Sequence, residues 1–302
     1  YGFDNIGDES ILRTLVSSLR EHIPDCSLTV LSHNPTSTRE KYGVEAVDRM
    51  SPMAILRGVK KCDMLISGGG SLLQDVTSSK SLHYYLSIIR CAEFFHKKVF
   101  IYSQGIGPID RPGNRRAAAA ALKRADGIVV RDERSAALLE EIGIARDKVV
   151  ITADPVIRMK KPDGDVGAEI LRKAGVSLDG RLTVGWAIRE RDTDSRFVKE
   201  LLRSIQMMRD KYNAQSVLIP FHYEEDGEVC RHIAAQLPDD TAVCLNEKYL
   251  SEDMLSIIGN MDLLVGVRLH SLIYAAIMGV PLIGISYDPK CTAFLNSVGL
   301  DK

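Results

Sequence analysis

The chain has 302 residues, 45% hydrophobic and 26% charged, with 39 Lys and Arg against 40 Asp and Glu. That length suits about two domains, and the composition excludes a disordered or collagenous chain. A net charge of −1 argues against a protein that coats nucleic acid, yet the balance is uneven: residues 1–160 carry 23 basic and 19 acidic side chains, residues 161–302 carry 16 and 21. No apolar run reaches the roughly 20 residues of a membrane span, and no signal peptide is visible, so a cytoplasmic protein is expected. The chain opens on Tyr1-Gly2 with no strand ahead of it, which makes a missing first strand the expectation; some internal loops also read as short. The six cysteines (26, 62, 91, 230, 244 and 291) are scattered widely, with no two close together. That spacing excludes CxxC zinc or redox pairs and suits reduced core thiols.

In chain order, a helical pattern over 9–22 is followed by a strand at 27–31, then strands at 64–67 and 99–102. A helix over 115–124 leads to a strand at 128–130, a helix over 135–142 to a strand at 149–151. The polar stretch Lys160-Lys161-Pro162-Asp163-Gly164-Asp165 interrupts this rhythm and reads as a linker between domains at 1–160 and 161–302. Beyond it come a strand at 182–186, a helix over 197–211, strands at 216–220, 242–245 and 263–267, a helix over 272–278, and a strand at 282–285. The strands are continuous apolar runs rather than alternating ones, as parallel strands buried on both faces should be. Alternation of strand and helix means an α/β fold. One internal echo supports two similar halves. The spacing from Asp126 to Ser135 equals that from Asp262 to Ser271, and the spacing from Asp126 to Gly143 equals that from Asp262 to Gly279.

Polar motifs fall at the carboxyl ends of these strands, where open α/β sheets bind ligands. Ser67-Gly68-Gly69-Gly70-Ser71, followed by Gln74 and Asp75, lets backbone amides approach an anion or sugar, and a helix start is expected just after it. No Lys-Ser/Thr pair follows, so it is not a phosphate-binding Walker loop. In Ser103-Gln104-Gly105-Ile106-Gly107-Pro108 the proline breaks the dinucleotide fingerprint. A tight turn is the competing reading of both. Asn5 and Asp8 lie in a loop entering the first helix, with Asp8 near its N-cap. Arg131 and Arg268 end strands, and each could grip a carboxylate or phosphate with its fork, surface ion pairing being the alternative for Arg131. His270 and Ser271 fall in the first turn of an apolar helix, where the dipole disfavours imidazolium unless an anion sits alongside. Tyr287-Asp288-Pro289-Lys290 adds a cation after the next strand, and His222-Tyr223-Glu224-Glu225-Asp226 reads as a solvated loop. No metal motif is present, and the basic stretch 111–123 lacks the aromatics of a nucleic-acid surface.

Taken in order, GFDNIGDE (2–9), SGGGSLLQD (67–75), SQGIGP (103–108), RDERS (131–135), ADP (153–155), GVRLHS (266–271) and DPK (288–290) resemble the polysaccharide pyruvyl transferase family, in particular its CsaB-like bacterial cell-wall branch. The resemblance covers nearly the whole chain. It implies two Rossmann-like domains facing across a cleft, similar to the GT-B fold. It also implies transfer of pyruvate from phosphoenolpyruvate onto two hydroxyls of a sugar as a cyclic ketal, with no cofactor and no metal. In that branch the acceptor is a β-linked N-acetylmannosamine in a lipid-linked precursor of a secondary cell-wall polymer, and the ketal helps anchor S-layer proteins. A lipid-linked acceptor would bring the positive surplus of the first half to the membrane face as a peripheral contact.

Ketal formation needs a proton donor for the methylene carbon, cations for two anionic groups, and an acceptor for hydroxyl protons. The resemblance and the strand-end chemistry together suggest His270 as general acid and Arg131, Arg268 and Lys290, with Leu269 beside them, as the donor clamp. Asp8 and Asn5 would orient or deprotonate the acceptor. Gly68, Gly69, Gly70, Gln74, Asp75, Gln104, Gly105, Gly107 and Ser271 would shape its side of the site. A glycosyltransferase of the same architecture using a nucleotide sugar, or a non-catalytic glycan-binding protein, are the competing readings.

Overall fold

A computed structural model of the chain describes every residue except Thr77, Arg191, Tyr287, Asp301 and Lys302. The chain divides into two compact units: Tyr1–Phe3 with Asp8–Arg158, and Asp4–Gly7 with Met159–Lys302. The assignment of Asp4–Gly7 to the second unit has no counterpart in the sequence pattern.

The first unit runs α1 (Ile6–His22, its first two residues grouping with the second unit), β1 (Thr29–Ser32), α2 (Pro35–Tyr42), β2 (Glu45–Asp48), α3 (Pro52–Lys61), β3 (Met64–Gly68), α4 (Ser79–Phe94), β4 (Lys98–Gln104), α5 (Pro112–Leu122), β5 (Gly127–Val130), α6 (Glu133–Glu141) and β6 (Val149–Ile151). Local chemistry sets several of these bounds. Asn34 and Ser51 cap α2 and α3, each followed by proline at the first helical position. Strands β3-β4-β5-β6 form one parallel sheet, and β1 and β2 pair separately, also parallel. The core packs Leu82, Leu86 and Ile89 of α4 and Leu139 of α6 against Val99, Ile101, Ile128 and Val130 of the sheet. Each such side chain contributes about 1.5–3 kcal/mol on burial.

The second unit runs α7 (Val166–Lys173), β7 (Thr183–Ala187), α8 (Arg196–Tyr212), β8 (Gln215–Leu218), α9 (Tyr223–Ala235), β9 (Ala242–Cys244), α10 (Ser251–Gly259), β10 (Leu263–Gly266), α11 (Leu269–Met278), β11 (Leu282–Gly284) and α12 (Pro289–Ser297). Its five parallel strands are ordered β11-β10-β7-β8-β9. The chain therefore builds outward from β7 to β9 and then returns to the other side of β7 with β10. That puts the topological switch point between β7 and β10, where this fold class binds ligands. Every residue of β7 and β8 is buried, as in parallel strands covered on both faces, including the polar Thr183, Gln215 and Ser216. Trp186 satisfies its indole N–H on Ser216 Oγ at 2.9 Å within that core.

Two expectations fail locally. No helix starts just after the triple glycine: α4 begins only at Ser79, capped by Ser78. The stretch from His222 to Asp226 is not a loop but the start of α9, with His222 as its cap. Tyr287 lies outside the described residues. No disulfide joins the described cysteines, and among the described residues no helix is long and apolar enough to cross a membrane.

Candidate active-site clusters

In the first unit the expected residues gather at the carboxyl ends of β3, β4 and β5. The triple-glycine loop and the Gln104–Pro108 loop are stitched by backbone bonds: Gly105 N–H to Gly70 O, Gly107 N–H to Leu73 O, and Asp75 N–H to Pro108 O, at 2.8–3.1 Å. Gly69 and Gly70 have φ of +60° and +70°, and a Cβ on Gly69 would overlap Ile11. Glycine is thus required here by conformation and close packing against α1. Gly68, buried at the end of β3, accepts the Tyr1 hydroxyl at 3.0 Å. Asp8 stands beside Gly70, its Oδ1 3.6 Å from where a Gly70 Cβ would lie. It is the third residue of α1 rather than its cap, and Asn5 Oδ1 takes the Gly7 N–H at 3.0 Å instead.

Three expected contacts in this unit are internal bonds. Asp75 is buried and accepts from Asp110 N, Arg111 N and Asn114 Nδ2 at 2.8–3.1 Å, bracing the entry to α5. Burial alone would raise its pKa, but those hydrogen bonds outweigh it and hold the carboxyl below its ordinary range. Gln104 is fully buried, and its Nε2 donates to Ser67 O and Ser67 Oγ. Arg131 is likewise engaged within the unit. Its side chain is 6% exposed, with Nη1 3.0 Å from the buried Asp154, Nε 3.6 Å from Asp132 and Nη2 donating to Ser71 Oγ. Its guanidinium lies so close over Gly105 that a Cβ there would overlap it. Arg131 thus ties three strand-end loops together with its charge already matched. Gln74 is half-buried beside these loops, and Gly107 takes φ +85°.

In the second unit the cluster lies at the ends of β10 and β8. Arg268 is the N-cap residue of α11 yet makes no side-chain cap bond. Its Nε donates to Asp226 Oδ2 at 3.0 Å and its Nη2 to Asp226 Oδ1, with Glu225 3.6 Å away. Asp226 is 1% exposed and also accepts the His222 N–H at 2.8 Å. The fork leaves Nη1 with no acceptor among the described residues, so Arg268 is aimed by a fixed partner. His270, half-buried in the first turn of α11, has its ring so close to Gly7 that a Cβ there would overlap Nδ1. The backbone reaches that position because Ile6 N–H bonds Phe221 O at 2.9 Å and Asn5 bridges His222. Lys248 Nζ then holds Asp4 at 2.7 Å, and that hydrogen bond raises the lysine's pKa. Lys290 is in the first turn of α12, 3.3 Å from Asp288, and the Cys291 thiol on Val267 O seats that turn beside the end of β10.

Two expected residues here face inward. Leu269 is buried, and Ser271 is fully buried with its hydroxyl on Arg268 O at 2.6 Å. Neither side chain is placed to touch a ligand. Sequence reasoning passed over Asp226, Asp154 and Gly7. Asp226 closes the first turn after the cap His222, and Asp154 lies in the ADP motif. Gly7 carries no signal without its neighbour. Among the described residues no group of His, Cys, Asp and Glu could hold a metal ion.

Residues 5–289 match the family model for polysaccharide pyruvyl transferase. The chain is 22% identical over 353 aligned residues to the amylovoran biosynthesis protein AmsJ of Erwinia amylovora, covering 98% of this chain and 84% of that one. Among solved structures it resembles the UDP-GlcNAc 2-epimerase of Methanocaldococcus jannaschii, with a TM-score of 0.67, 13% identity and coverage of 96% and 84%. It also resembles Anabaena Alr3699/HepE in complex with UDP-glucose, with a TM-score of 0.58, 11% identity and coverage of 94% and 77%. At such identities the two structures speak for the fold alone.

Proposed function

The chain belongs to the polysaccharide pyruvyl transferase family, and we propose that it transfers the pyruvyl group of phosphoenolpyruvate onto two hydroxyls of an amino sugar in a lipid-linked polysaccharide precursor. The observation that carries this reading is the start of α11. There a cation occupies the cap position, the first turn has no side-chain cap, and a histidine follows two residues later. A helix start of that kind favours an anion from outside.

Bound there, the donor's phosphate or carboxylate accepts from Arg268 Nη1 and the first-turn amides, and its charge favours the imidazolium of His270. His270 delivers that proton to the methylene carbon, leaving an oxocarbenium-like centre at the carbon bearing the phosphate. One sugar hydroxyl adds to that carbon and surrenders its proton. The carbon–oxygen bond to phosphate breaks, and the second hydroxyl closes the ring as its own proton leaves. Of the two hydroxyl protons lost, one restores the imidazolium of His270 and the other leaves with phosphate. The acceptor sugar in this reading is a β-linked N-acetylmannosamine of a cell-wall polymer, whose ketal would serve S-layer anchoring.

The test offers the purified protein a β-N-acetylmannosaminyl acceptor with either phosphoenolpyruvate or a UDP-sugar. The expected result, with phosphoenolpyruvate alone, is phosphate release together with the mass gain of one pyruvyl ketal in the acceptor. Sugar transfer from the UDP donor with no phosphate release overturns it.

A further inference from the structure

Among the described residues, arginines at strand carboxyl ends include Arg49 after β2, Arg131 after β5, Arg189 after β7 and Arg268 after β10. Arg131 and Arg268 each have a buried carboxylate partner. Arg49 has none among the described residues. Its half-buried guanidinium is walled instead by aromatic rings, with Cζ 4.9 Å from the Tyr84 centroid, 5.2 Å from Phe3 and 5.7 Å from Tyr85. Nη2 donates to the Tyr85 hydroxyl at 3.3 Å, and the Tyr84 hydroxyl donates to Arg49 O at 2.7 Å. Burial raises the Tyr84 phenol above its ordinary value, so it stays neutral and supplies no counter-charge. Nearby Asp48 turns its Oδ1 to the Met50 N–H.

The surroundings suit more than an anion. Ser32 and Asp48 are register partners in the β1–β2 pair, so His33 and Arg49 follow side by side at one sheet edge. His33 is exposed and its ring stacks on Phe3 at 4.5 Å and 8°. Phe3 is itself 41% exposed. Aromatic walls reduce hydration of the guanidinium without neutralising it, which strengthens its attraction for an incoming anion. A flat stacked pair beside it offers the apolar face a pyranose ring needs. Anion and sugar ring side by side is the chemistry of a glycosyl phosphate.

We propose that Arg49 and the Phe3–His33 stack form a subsite for the phosphate-bearing sugar of the acceptor, the phosphate on the guanidinium and the ring against the stack. This rests on the reading of the acceptor as a lipid-linked sugar. Arg131 is excluded from the role because its charge is already matched.

The test uses a short-prenyl diphosphate-linked disaccharide and the same disaccharide as a methyl glycoside, with wild type, Arg49→Gln and His33→Ala. Binding is measured by calorimetry and turnover with phosphoenolpyruvate. Arg49→Gln should weaken binding of the diphosphate compound about tenfold or more, the loss of one charged hydrogen bond, and leave the methyl glycoside and the KM for phosphoenolpyruvate unchanged. His33→Ala should weaken both acceptors. Unchanged diphosphate binding, equal loss for both acceptors in Arg49→Gln, or no wild-type binding of the diphosphate compound overturns the subsite. A raised KM for phosphoenolpyruvate alone assigns Arg49 to the donor and overturns it too. Binding that behaves as expected without any phosphate release sinks pyruvyl transfer and leaves the subsite standing.

Discussion

The β5–α6 and β10–α11 connections share a scaffold and diverge at the cap position. In each an aspartate precedes the strand and braces its neighbour by a two-way bond. Asp126 exchanges bonds with Val99 and Asp262 with Thr183, at 2.8–2.9 Å. In each a serine of the first helical turn, Ser135 or Ser271, is buried, and a left-handed glycine, Gly143 or Gly279, follows the helix. At the cap position, however, α6 has Asp132, which accepts from Ser135 N and Ser135 Oγ, while α11 has Arg268 and no side-chain cap. The first helix start carries its own anion. The second has no side-chain cap of its own, and in the proposed reading its cation and histidine receive an anion from elsewhere. Arg131 lies one residue before that cap position and Arg268 occupies it, and each is paired with a buried carboxylate.

The sharpest way to break this comparison is at His270. His270→Gln should lower ketal formation about 10²–10⁴-fold, the range for loss of a general acid, with an unchanged circular dichroism melt. Near wild-type phosphate release would remove it as the acid. Gly7→Ala, whose Cβ meets the imidazole, should also cut kcat, about 10²-fold for a misplacement near 1 Å. Next come the two arginines. Removing either leaves a buried carboxylate unpaired and should cost about 3–5 kcal/mol of stability. Arg268→Met should also raise the KM for phosphoenolpyruvate about tenfold or more, whereas Arg131→Met should leave it unchanged in the protein that remains folded. An equal rise in both would return Arg131 to the donor clamp.

Much of this was legible in the chain. Short apolar runs at β5 and β10 announce buried parallel strands, and glycines at 143 and 279 announce helix ends. The loops that carry polar motifs were also placed correctly at strand carboxyl ends. What a linear reading could not supply was pairing. Asp226 is remote from Arg268 along the chain and reads as one acid among three; only the fold turns it into the partner that aims the arginine. Asp75 looked like a ligand contact because acids beside glycine loops often are, yet three donors at the entry to α5 consume it. Gly7 and His270 stand near opposite ends of the chain, and steric fit between them has no signature in composition or periodicity. β2 is a short strand with little apolar content, too slight to stand out.

The smallest effects should come from carboxylates that the first unit builds into its own helix starts. Asp132→Ala removes the α6 cap and should cost about 1 kcal/mol, read as a lower melting temperature with the KM for phosphoenolpyruvate unmoved. Asp75 allows a finer test, because its carboxyl is held below the ordinary range in the folded state. A depressed pKa contributes stability that is fully present above the unfolded value of about 4 and is lost as pH falls through the folded one. Asp75→Asn should therefore destabilise the protein at neutral pH and narrow its difference from wild type as acid is added, as followed by urea unfolding at a series of pH values. A gap that stays constant from neutral pH down into the acid range would mean that the charge on Asp75 is not what secures the entry to α5, and that only the shape of its hydrogen bonds matters there.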